Sequence, residues 1–284
     1  AGHSGRRGRR VRIRRRVPRV REPGDPARGA AARPAGRGRR NVGRRRQGDA
    51  LGSLAALNEL MDALYRLVPA GVGSTGFVKL NTEKFKELMV KGVDWCIQNG
   101  YGWEEDRERV EQGGRIQGAN PEKVSQKAIS RGVDQLGTLG SGNHYLELQV
   151  AQTDRIFHPE AAKVFGIVRP NQIFVMIHCG SRGFGHQIAT DYLRVFTEAM
   201  RKYNIRVLDK ELACAPYNSP EGQDYYGAMV CAANSAFANR QVILHRVREA
   251  FSQVFHKDSK PTLARMRKGM KVIIDPSCSL IFEA

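Results

Sequence analysis

The stretch "LGTLGSGNHYLELQV", residues 136–150, decides the fold and raises the chemistry. Its first half is a glycine turn. Its second half alternates, with Tyr145, Glu147 and Gln149 set against Leu146, Leu148 and Val150. A period of two predicts a half-buried strand over 145–150. Asn143 and His144 fall at the join, where Gly140 and Gly142 let a ligand come close to the backbone. A second stretch, "NQIFVMIHCGSRGFGH" (171–186), repeats the device. There an apolar strand breaks into a glycine loop with His178 at the break.

Helical patterns flank these strands. Leu54, Leu57, Leu60, Met61, Leu64, Leu67 and Val68 recur at helical spacing. "PAGVGSTG" (69–76) is a loop. Asn81 caps a second helix carrying Phe85, Leu88, Met89 and Trp95 and ending near Gly100. Asn120-Pro121 opens a third, with proline at its first position. A helix is expected over 187–203, and a long one over 219–255 with Ser219 as its cap and Pro220 in its first turn. A last strand is expected over 271–275. The pattern predicts an α+β fold, a single domain over 51–284 with a mixed β core surrounded by helices.

Composition narrows the class. With 284 residues, 41% of them hydrophobic, the chain is long enough to bury a core. No apolar run reaches the roughly eighteen residues of a membrane span, so no membrane partner is expected. No signal-peptide core follows the start. The five cysteines show no Cys-x-x-Cys spacing and read as intracellular thiols. The expected location is therefore intracellular: the cytoplasm, with the nucleus as a second compartment.

The net charge of +19 is concentrated in one place. Residues 1–50 hold 18 Arg, no Lys and three acids, which gives +15, while the rest of the chain carries +4. This segment is Arg/Gly-rich and has no aromatic residue, so it cannot bury enough apolar surface to offset chain entropy and is expected to be disordered. Three readings stand beside each other. It is a solvated basic tail, an RNA-binding arm without stacking residues, or GC-rich DNA translated out of frame.

Seven histidines are present. His158, His245 and His256 read as ordinary surface or packed side chains, and His186 as a cap or an anion contact. His144 and His178 differ, because each stands at a strand edge beside a glycine loop. With Asn143 and the guanidinium fork of Arg182 they suit a metal-and-phosphate site. Composition alone leaves this open against two core histidines.

The segments 135–150, 175–191, 213–234 and 69–76 resemble the RNA-splicing ligase RtcB family, over about residues 51–255. "GTLGSGNHYLE" and "IHCGSRGFGHQ" are the long, specific motifs. The resemblance implies GTP- and manganese-dependent joining of an RNA 3′-phosphate or 2′,3′-cyclic phosphate to a 5′-hydroxyl, as in tRNA splicing and RNA repair. It implies RNA partners (tRNA halves or broken RNA), accessory proteins of a ligase complex, and two Mn²⁺ ions. Carried over by motif, His144 ligates one manganese and His178 the other. Asn143, His144, Tyr145, Leu146 and Glu147 form the guanylate-binding stretch. Ser181 and Arg182 face phosphate or RNA. The helix from Ser219 is scaffold.

Three departures from the family accompany this. Its Asp-x-x-Cys-Gly metal element has no counterpart in residues 1–50. Cys278, in "VIIDPSCSL" (272–280), stands where a further metal histidine is expected, and a thiolate there favours zinc over manganese. The histidine that takes GMP covalently has no counterpart, so no catalytic residue is assigned. The expectation is a truncated ligase domain, an incomplete gene product inactive by itself. Two alternatives remain. One is a non-catalytic basic nucleic-acid-binding protein on a degenerate ligase fold. The other is a zinc or redox protein on Cys179 and Cys278, disfavoured because Cys179 and His178 are neighbours on a strand and point to opposite faces, so they do not share a ligand.

Overall fold

The computed structural model describes residues 54–209, 212–255, 272–275 and 279–283, the last two segments as backbone. The Arg-rich segment 1–50, His256 and Cys278 lie outside the described residues. The molecule is α+β, with seven α-helices and one four-stranded sheet among the described residues.

The strand pattern around His144 and His178 holds. β1 (Tyr145–Ala151) pairs antiparallel with β2 (Gln172–His178), with Tyr145 opposite His178 and Leu146 opposite Ile177. Alternation sends Leu146, Val175 and Ile177 into the core, and Tyr145, Glu147, Met176 and His178 to the other face. The expected C-terminal strand is β3 (Val272–Asp275). A further strand, β4 (Ser279–Glu283), inserts between β2 and β3, giving the order β1-β2-β4-β3.

α1 (Leu54–Leu67) buries Leu60, Leu64 and Leu67 against the sheet and the far half of α7 (Pro220–Phe255). At 36 residues α7 is about 54 Å long and spans the molecule. Its near half meets a second core, built from α2 (Thr82–Lys91), α3 (Val93–Gln98), α4 (Gln126–Gly132) and α6 (Arg182–Lys202). Ser219 caps α7, its hydroxyl accepting from the N–H of Gly222 at 3.1 Å.

Three helices differ from their expected bounds. The second breaks into α2 and α3 at Gly92, where φ is +55° and a side chain would strike the backbone of Gly114. The helix expected from Pro121 is a single 3₁₀ turn, Pro121–Lys123. Val124 and Ser125 are extended, and Ser125 then caps α4 by accepting from the N–H of Ala128 at 3.1 Å. α6 begins at Arg182, well ahead of position 187. Gly183 and Gly185 read as loop, yet both lie in the first turn of α6, packed against Gln135 and Ser181. The short α5 (Pro159–Val164) had no periodic signal; His158 caps it, its Nδ1 accepting from the N–H of Ala161 at 3.1 Å.

Candidate active site

Three loops meet at the ends of β1 and β2. The turn 135–144 leads into β1, and the loop 179–181 joins β2 to α6. The loop 69–76 lies along the first of these: Leu139 donates its N–H to the Pro69 carbonyl at 2.8 Å, and Gly71 donates to the Leu139 carbonyl at 3.0 Å. This convergence follows from antiparallel pairing, which sets the start of β1 beside the end of β2.

His144 and His178 come together there. Their ring centroids are 6.2 Å apart, and both rings are half-buried. Tyr145 stacks on His178 with centroids 5.2 Å apart and 17° between planes. Its hydroxyl reaches Met176 Sδ at 3.4 Å. The His144 ring lies over the α-carbon of Gly140 beside Nη1 of Arg182; a β-carbon at Gly140 would collide with both. This close approach is why the turn has a glycine there.

His144 Nδ1 is buried and has no hydrogen-bond partner among the described residues. Burial, and then the positive charges of Arg182 and His178, hold the His144 imidazole below its ordinary pKa, against a smaller pull from the Ser141 backbone. The neutral ring is the form that ligates metal. A buried, unpaired ring nitrogen on one of two neighbouring imidazoles fits part of a divalent-metal shell. Among the described residues no third His, Cys, Asp or Glu joins them.

The other expected site residues are distributed as follows. Asn143 is exposed at the mouth of the turn. Glu147 shares the sheet face of His178, and its carboxylate accepts from Gln149 Nε2 at 3.0 Å. Leu146 is 8% exposed and its side chain belongs to the core on the opposite face, so only its backbone is available to a ligand at the His178 face. Arg182 adopts φ of +60°, a left-handed conformation that costs a non-glycine residue about 1–2 kcal/mol. Its guanidinium ties the loops together: Nε donates to Thr138 Oγ1 at 3.0 Å, and Nη2 to the Gly71 carbonyl at 2.8 Å. Ser181 packs against Gly185. Cys179 is 1% exposed and sits in the core, on the side of the sheet away from His178, with burial raising its thiol pKa.

The residues that hold these loops were not apparent from sequence. Asn239 and Arg240 of α7 bond to both glycine loops, and Gln135 Oε1 accepts the Gly183 N–H at 2.9 Å. Their one signal is a run of polar side chains on an otherwise apolar helix face. An open cleft of about 450 Å³ is lined by Val72–Thr75, Ser130, Arg131, Asp134, Gln135 and Gly183, next to Arg182 in the chain; neither histidine lines it.

Comparison with known proteins bears on this geometry. The family model for tRNA-splicing ligase RtcB matches residues 46–272. A tRNA-splicing ligase RtcB of Pyrococcus abyssi is 51% identical over 219 residues, which is 77% of this chain and 23% of the relative. The protein of the same name from Pyrobaculum aerophilum is 50% identical over 219 residues, 77% of this chain and 43% of the relative. That of Archaeoglobus fulgidus is 50% identical over 198 residues, 70% of this chain and 40% of the relative. The chain thus spans less than half the length of these relatives. With a match across most of its residues, and with both glycine-flanked histidines inside it, the chain belongs to the tRNA-splicing ligase RtcB family.

Proposed function

We propose that these residues form part of the active site of an RNA ligase that joins an RNA 3′-phosphate or 2′,3′-cyclic phosphate to a 5′-hydroxyl, with GTP and Mn²⁺ as cofactors. The observation that carries this reading is the pair of imidazoles 6.2 Å apart, one with a buried, unpartnered nitrogen and its ring seated where Gly140 lacks a side chain. His144 and His178 would hold divalent cations, which supply charge neutralisation for in-line displacement at phosphorus. Asn143, Tyr145 and Glu147, with the backbone of Leu146, would line the guanylate. Arg182 holds the loops in register while keeping positive charge beside the bound phosphates, and Ser181 borders the same loop. Cys278 is the proposed further ligand, and the residues from 51 onward are the ligase domain.

RNA ends, GTP and accessory ligase proteins are the proposed partners, and the cell interior, cytoplasm and nucleus, the proposed location. Among the described residues no helix is long and apolar enough to cross a membrane. Two neutral donors supply no negative charge and make a weak manganese shell by themselves.

The rival reading is a basic protein that binds RNA by charge. Fluorescence anisotropy separates the two, using RNA ending in a 3′-phosphate or a 3′-hydroxyl. The ligase reading expects tighter binding of the 3′-phosphate in the presence of Mn²⁺, and loss of that preference in the His144→Ala/His178→Ala double variant. Binding that ignores Mn²⁺, GTP and the end group, and falls only with salt, contradicts it.

A further inference from the structure

We infer that Asn239, midway along α7, is a positioning residue that sets the spacing of the His144 and His178 rings. This rests on the reading of those rings as metal ligands. Asn239 is 2% exposed, and one side-chain amide serves both loops. Its Oδ1 accepts the N–H of Gly137 at 2.7 Å and of Thr138 at 3.2 Å. Its Nδ2 donates to the carbonyls of Thr138 at 3.1 Å and Gly180 at 3.0 Å, and lies 3.4 Å from Cys179 Sγ. The acceptor fixes the turn that delivers His144. The donor bonds that same turn at Thr138 and also the residues directly after His178. Arg240 adds a bond from Nη1 to the Cys179 carbonyl at 2.9 Å.

Only an amide of this length does both jobs. An aspartate lacks the donor, a leucine lacks both functions, and a glutamine reaches one methylene too far. The rings make no hydrogen bond to each other, so their spacing is inherited from the β1–β2 pairing and from the loops that run into and out of it. Groups hydrogen-bonded to metal ligands typically change metal affinity by about 10–100-fold when removed, and Asn239 acts one step further out, through the backbone that carries the rings.

The same helix supplies a control. Asn234 is fully buried and ties α7 to other backbone away from the site: Oδ1 accepts the Ile116 N–H at 2.8 Å, and Nδ2 donates to the Met89 carbonyl at 2.9 Å. Losing either amide strips buried backbone groups of their partners, but only Asn239 touches the histidine loops.

The test labels the histidine rings with ¹⁵N in the whole chain, follows them by proton–nitrogen correlation, and assigns the two signals with His144→Gln and His178→Gln. Mn²⁺ affinity is read in parallel from the free-ion paramagnetic resonance signal. Asn239→Ala is expected to shift both ring signals and weaken Mn²⁺ binding about 10–100-fold, while Asn234→Ala moves neither. Asn239→Asp keeps the acceptor and loses the donor, so it is expected to shift the His178 signal more than the His144 signal; it also decides the matter if Asn239→Ala does not fold. Ring signals unmoved in the Asn239 variants, or moved as far by Asn234→Ala, overturn the inference. If the native chain takes up no Mn²⁺, the functional reading fails, and the ring signals still decide whether Asn239 places the histidines.

Discussion

Gly140 shows how one residue makes room for chemistry. Its missing side chain is where the His144 ring and the Arg182 guanidinium pack. Gly140→Ala is expected to push the ring aside, to cost about 1–3 kcal/mol as an overpacked site does in urea unfolding, and to weaken Mn²⁺ binding. Native affinity in that variant would mean that the ring position does not matter. His245 carries a separate expectation. It stacks on Phe77 with centroids 6.3 Å apart and meets Tyr101 edge-on at 5.5 Å. Burial, followed by Arg246 and Arg248, lowers its pKa, with Glu249 opposing. The unfolded chain therefore takes up this proton first as pH falls. Stability from His245 is full above its ordinary pKa of 6.5 and is lost on acidification through the folded value. His245→Phe, which keeps the aromatic packing, is expected to flatten the pH dependence of urea unfolding below pH 6.5. An unchanged slope would remove His245 from the account. His144 and His178 were legible in the sequence because glycines flank them in chain order. Asn239 was not, because the loop it holds lies 102 positions away.

At the scale of elements, period-two alternation placed β1, and a short apolar run ending in a glycine loop placed β2, whose neighbours Phe174 and Val175 are buried on opposite faces. Glycine was harder to read. In 183 and 185 it serves helix packing, and in 92 it breaks a helix through a positive φ. Sequence periodicity cannot separate those uses. α7 carries buried polar groups with specific partners, including Arg248, which meets Asp106 through two hydrogen bonds of 2.6 and 2.7 Å and stacks over Trp103 at 3.5 Å. Both side chains of this pair are about 5% exposed or less. Asp106→Ala strands a buried charge and is expected to cost about 3–5 kcal/mol in urea unfolding, as broken buried pairs do. A loss below about 1 kcal/mol, the range of surface pairs, would show that water reaches this pair.

Over the whole molecule, charge and site are separate. The first 50 residues carry +15 of the +19, and the histidine pair lies in the family-matched part. Removing residues 1–50 is expected to flatten the salt dependence of RNA affinity and to leave the Mn²⁺-dependent preference for a 3′-phosphate. Loss of that preference with the tail would return the chain to the basic-binder reading. The central claim is that His144 and His178 grip a divalent cation. Electron spin echo spectroscopy of Mn²⁺ bound to the chain tests it most directly. Nitrogen modulation from imidazole is expected in the native chain and absent in the His144→Ala/His178→Ala variant. Bound Mn²⁺ with no nitrogen coupling, or coupling that survives the double substitution, would contradict the account.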